Sequence, residues 1–104
     1  MPELYRMKEH CPLRSPNLAS RVLHGEAIVM NPADSSLFNL NETATAIWLA
    51  ADGHSTLSEI VERRICPDYD VNFEQALLDA EELTRDLAQH SILIMLPERA
   101  GAGE

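Results

Sequence analysis

The chain has 104 residues, 45% of them hydrophobic, with only one Trp, two Tyr and two Phe. A single domain with an aliphatic core is expected, with little volume to spare for a deep pocket. Seventeen acids against eight bases give a formal net charge of -9. That balance works against nucleic acid or an anionic membrane surface as partner, since both are gripped through Lys and Arg.

Residues 1–19 contain Pro2, Pro12 and Pro16 and no hydrophobic period. They are expected to form a flexible arm. This segment lacks the apolar stretch of a signal peptide, and no run approaches the ~18 apolar residues of a membrane span. A soluble, cytoplasmic chain is expected, with Cys11 and Cys66 reduced. The folded domain is expected over 20–96, and the segment 97–104 as a disordered tail.

Three β signals open the domain, at 20–24, 27–30 and 36–40. A turn pair at Gly25-Glu26 and a turn cluster at 31–35 separate them. Connections this short imply an antiparallel meander in the order 1-2-3.

Helices follow. Asn41 is an N-cap, and Glu42 places a negative charge in the first turn. Ala44, Ile47, Trp48 and Ala51 share one face of that helix, which Asp52-Gly53 ends. Thr56 and Glu59 form a capping box for a second helix that buries Leu57, Ile60, Val61 and Ile65 and stops at Pro67. Asn72, with Gln75 in the capping-box position, starts the third and longest helix. Its stripe is Phe73, Leu77, Ala80, Thr84 and Leu87, with Ala76 and Leu83 on a shoulder. Leu78 lies off the stripe, with Glu74, Glu81 and Arg85. The helix ends near His90 or Ser91, and 92–96 is a short apolar run that either adds a strand or packs. The fold class is therefore α+β: a small three-stranded antiparallel sheet followed by three helices, with the outline of a winged helix-turn-helix.

Chemistry is sparse. His10, His24, His54 and His90 stand at no metal-ligand spacing, and the serines and glycines form no nucleophile elbow or phosphate loop. No catalytic set, metal or other cofactor is expected. Between Asp68 and Asp86 the chain has seven acids and one base, Arg85, so the would-be recognition helix would repel a duplex. The sheet edge remains. The strand at 36–40 has no Lys, Pro or charge to block pairing, and an extended peptide can add there as a further strand. The same edge can also be covered by the arm, by 92–96 or by a second copy of the chain.

The segment Leu40-Asn41-Glu42-Thr43-Ala44, then Ile47, Asp52-Gly53 and Thr56-Leu57-Ser58-Glu59-Ile60, resembles the PqqD family. Asp79, Leu87 and Ile92-Leu93 fit its closing pattern. The likeness covers roughly 20–95. It implies a peptide chaperone that binds the leader of a ribosomally made precursor peptide and presents it to a radical SAM or other modifying enzyme, as in pyrroloquinoline quinone biosynthesis. It further implies a peptide joining the third strand at Ser36, Leu37, Phe38, Asn39 and Leu40, and packing against Leu78, Glu81 and Arg85 of the third helix. Such a chain is a monomer or a homodimer, including a swapped one. Ser91 stands where the family usually has Gly, and Thr84 where Leu is common. The other readings are a structural or oligomerising domain with a self-paired edge, and a winged-helix nucleic-acid binder.

Overall fold

The computed structural model describes residues 8–99. Strands β2 (Ala19–Leu23), β3 (Glu26–Asn31) and β4 (Ser36–Leu40) form an antiparallel meander in that order. β2 and β3 are joined by His24 and Gly25 at φ 54 and 80. This is a two-residue hairpin loop whose positive φ values favour glycine at the second position. It sits one residue earlier than the turn pair expected from sequence.

The segment 8–19 departs from the expected arm. Cys11–Arg14 is a strand, β1, which pairs antiparallel with β5 (Leu93–Leu96) in a separate two-stranded ribbon. Main-chain bonds tie it down further: Gly53 N–H donates to Pro12 O, Leu57 N–H to His10 O and Arg14 N–H to Ala51 O. Cys11 and Pro12 are buried, so Pro12 fits an edge ribbon and Pro16 a turn, and neither marks disorder. Both cysteines are free, and burial pushes the Cys11 thiol above its ordinary pKa. Residues 1–7 and 100–104 lie outside the described residues.

Among the described residues five helical pieces make three helical bodies. α1 (Glu42–Leu49) starts at Asn41, whose side chain accepts the Ala44 N–H. At its other end the Arg14 guanidinium donates to Trp48 O and Leu49 O, a cation on the helix C-terminus. The second body comprises α2 (Leu57–Ile60), a π turn (Val61–Ile65) and α3 (Cys66–Tyr69). Pro67 does not end it, contrary to the expected stop. A proline ring clashes with the carbonyl four residues back in a regular α-helix. The π turn, with Cys66 N–H bonded to Val61 O, lets the chain continue to Tyr69.

α4 (Phe73–Gln89) buries Leu77, Ala80, Thr84 and Leu87. Phe73, expected in that stripe, is 37% exposed. Thr84 is fully buried because its hydroxyl donates to Ala80 O, so the hydroxyl is satisfied within the helix. Gln75 does not close a capping box; its side chain donates to Asp79 instead. At the end of α4, Ile92 N–H donates to Leu87 O and Ser91 N–H to Ala88 O, while Ser91 takes φ 61. This is a Schellman closure with serine in the left-handed position. Ser91→Gly is therefore expected to stabilise the fold by about 0.5–1 kcal/mol in urea unfolding.

Two apolar clusters share α1. One joins Ala27, Val29 and Leu40 of the sheet to Ala44, Trp48, Leu87, Ile92 and Leu93. The other joins Ile47 to Leu57, Ile60, Val61, Ile65, Leu77 and Ala80. The sheet is thus fastened to α1 and to the end of α4, while the rest of α4 rests on the second helical body.

The capping box at Thr56 and Glu59 is formed as expected. The Glu59 carboxylate also accepts two bonds from Arg99, at 3.0 Å each. Arg99, together with the Thr56 N–H, lowers the Glu59 pKa to about 2. A depressed carboxylate pKa stabilises the fold above its unfolded value near 4.5 and loses that contribution as pH falls towards 2. Partial exposure screens the pair, so Glu59→Gln is expected to cost about 1 kcal/mol at neutral pH. It should also flatten the acid limb of the stability profile between pH 4.5 and 2.

Candidate functional site

β4 is the last strand of its sheet, and no described strand pairs with its other edge. The segments expected as possible covers, β1 and β5, pair with each other instead. Which β4 groups face the open side follows from the register. The two-residue loop makes Leu23 and Glu26 the hydrogen-bonded closing pair of the β2–β3 hairpin. The next residue, Ala27, then turns its N–H towards β4. There the buried Thr45 hydroxyl accepts the Ala27 N–H at 2.8 Å and donates to Leu40 O at 3.1 Å. Phe38 and Leu40 therefore direct their main-chain groups to β3, while the Ser36 N–H goes to Asp34. Leu37 and Asn39 direct theirs to the open edge.

Side chains alternate the other way across the sheet. Leu37 and Asn39 point outwards, with Leu37 60% exposed, whereas Leu40 is buried and Phe38 packs against the core. The Asp34 carboxylate accepts the Ser36 N–H and hydroxyl, which fixes where β4 begins. The Ser36 hydroxyl also holds the Asp34 pKa below its usual value.

α4 forms the wall beside this strand. The Phe38 and His90 rings meet with centroids 5.0 Å apart, and Asn31 Nδ2 donates to His90 O. α4 and β4 thus converge at the start of the strand. Towards the other end a cavity of about 460 Å³ opens between Asn41 and Thr43 at the head of α1 and Asn72, Gln75, Asp79 and Leu83 of α4. Its floor is Ile47, Ile65, Tyr69 and Val71. The cavity thus begins at Asn41, the residue that follows β4, and shares Leu83 with the cluster on which Phe38 packs.

The expected site residues separate into two sets. Ser36, Leu37, Phe38, Asn39 and Leu40 form the edge. Leu78 and Glu81 lie on the other flank of α4 from Leu83, about 140–160° around the helix at 100° per residue, and Arg85 lines the outer depression of that helix together with Asp79, Leu83 and Asp86. Leu83 packs with Phe38 on the sheet cluster. The flank of α4 that carries Leu83 also carries Gln75, Asp79 and Asp86, and it runs to His90, which meets Phe38. Sequence reasoning picked Leu78 because it is off the core stripe, but a helix has two flanks. Leu83, already placed on a shoulder, marks the one that faces the strand. Asn31, buried between Ala33 N–H and His90 O, was read only as a turn residue.

No group of three or more His, Cys, Asp or Glu among the described residues could hold a metal ion. No helix among them is long and apolar enough to cross a membrane.

No curated protein sequence matches the chain. A solved structure described as TbiB1 in complex with the TbiA(beta) leader peptide has the same fold. Its TM-score is 0.69 at 23% identity, over 78% of this chain and 93% of that one. The family model for coenzyme PQQ synthesis protein D matches residues 26–93, from the start of β3 into β5 and thus across the free strand, both core clusters and the helix wall. The chain belongs to the PqqD family.

Proposed function

We propose that the chain binds the leader of a ribosomally made precursor peptide and presents it to a peptide-modifying enzyme of the radical SAM type. In this reading it acts in the cytoplasm, performs no catalysis itself and needs no cofactor. The observation that supports it most is the unpaired edge of β4 lying beside α4. The leader adds as a strand there, bonded through the main chain of Leu37 and Asn39, and its inward side chains meet Phe38 and the Leu83 flank of α4. β2 offers a second edge unpaired among the described strands, but all five of its residues are exposed. Main-chain pairing alone tolerates many sequences, so selectivity falls to the helix wall.

The solved relative in fold was captured with a leader peptide, and the family is described by coenzyme PQQ synthesis. Both agree with this assignment. The test is calorimetric titration of a candidate precursor peptide from the same genome, cut into leader and core halves. One-to-one binding of the leader half alone is expected. Binding confined to the core half, or to neither half, would overturn the proposal.

A further inference from the structure

We infer that the groove selects leaders in which one apolar side chain is followed or preceded, two to four residues away, by a Lys or Arg. This rests on the strand-addition reading above and specifies the class of peptide it takes.

The apolar requirement comes from the cavity. It opens beside Asn41, the residue that follows Leu40 at the end of β4. Its floor is apolar, and its rim carries Asn41, Asn72, Gln75 and Asp79. A volume of about 460 Å³ is ample for one large side chain of a strand that continues past β4, and burial in such a floor is favourable in proportion to area.

The basic requirement comes from the wall. Asp79, Glu82 and Asp86 line the outer depression of α4 next to Leu83, with Arg85 the one cation among them. The strand opposite supplies no charge, since Ser36 to Leu40 are all neutral. Asp86 lies 3.8 Å from His90 Nε2. One oxygen of Asp79 is taken by Gln75. The wall is therefore net negative, and a bound strand brings its inward side chains to it. An acidic leader would be repelled there and a basic one held.

The spacing follows from the two rises. Asp79 borders the cavity, and Asp86 lies seven residues along, about 10 Å at 1.5 Å per residue. An extended strand covers that length in about three residues at ~3.3 Å each, and only alternate residues face the wall. Hence the base stands two to four positions from the anchor, in either chain direction.

The test is selection from displayed random peptides of about twelve residues, long enough to span strand and cavity, on the full chain. The enriched pool is expected to show Lys or Arg at that distance from a large apolar residue. The preference should exceed the input by about fivefold, the worth of one or two partly screened ion pairs. The exposed double variant Asp79→Asn, Asp86→Asn should lose the basic preference and keep the apolar one, while Ala76→Phe, which fills the cavity, should lose the apolar one. A pool with apolar anchors but neutral or acidic neighbours overturns this inference and leaves strand addition standing. A pool that still binds an Asn39→Pro chain, or the absence of any enriched pool, overturns strand addition and this inference with it.

Discussion

An Asn39→Pro chain is expected to fold as the parent does and to bind the leader at least about tenfold more weakly, through the loss of one or two main-chain bonds of about 1 kcal/mol each. Asn39 directs its N–H to the open edge and its side chain to solvent, so the substitution removes only what the incoming strand uses. Proline is tolerated on an edge strand where its missing donor faces away from the sheet. Phe38→Pro is a different experiment. It deletes a donor already committed to β3 and the ring that meets His90, so it damages the fold as well as the site. Asn39→Ala, which keeps the donor, should bind within about twofold of the parent, since an exposed side chain contributes little. Parent-like affinity in Asn39→Pro, measured by calorimetry on protein with an unchanged unfolding midpoint, would remove β4 from the binding mechanism.

Thr45→Val is expected to have the largest effect on stability, a loss of about 2–3 kcal/mol. The two side chains match in shape, but valine leaves the buried Ala27 N–H and Leu40 C=O without the hydroxyl that bridges them. Thr45 is 3% exposed, so water does not replace it. The bridge also pins the end of β4 to the first turn of α1, where the cavity begins. Destabilisation should therefore be accompanied by weaker peptide binding at temperatures where the variant remains folded. Urea unfolding followed by the emission of Trp48, the sole tryptophan, reports this directly. A change below about 0.5 kcal/mol would mean that the bridged pair finds another partner.

Much of this architecture was legible in the sequence where local chemistry decides the outcome. Asn41, Thr56 with Glu59, and Asn72 are each the cap they were expected to be, because a side chain bonding two or three residues ahead needs no tertiary context. The 36–40 strand has the same bounds in both descriptions for a similar reason: Asp34 and Asn41 terminate it from either side. The misses are long-range. Nothing within 8–19 signals that β1 pairs with a strand some eighty residues later, since its four residues alternate too little to show a strand period. Pro67 looked like a stop because the accommodating π turn upstream has no sequence signature. At the site, periodicity singled out Leu78 on one flank of α4, whereas Leu83 on the other flank packs against the same cluster as Phe38. Periodicity identifies the face that is buried, but not which side of that face looks towards the sheet. That is decided by the contact between Phe38 and His90.

The two departures from the family pattern have physical readings. Ser91 occupies a left-handed closure that glycine adopts without strain. Thr84 sits at a buried position that tolerates a hydroxyl only because Ala80 O accepts its proton. Neither lies on the β4 edge or on the Leu83 flank, so both leave the proposed groove intact.

The most direct test of peptide addition at β4 is amide NMR of the labelled chain as the leader peptide is titrated in. The Leu37 and Asn39 amides are expected to shift downfield and become slow to exchange with solvent, while Phe38 and Leu40, turned to β3, and Ser36, bonded to Asp34, keep their exchange rates. Shifts along β2, or at Arg63 and Arg64 alone, with Leu37 and Asn39 unmoved, would contradict addition at β4.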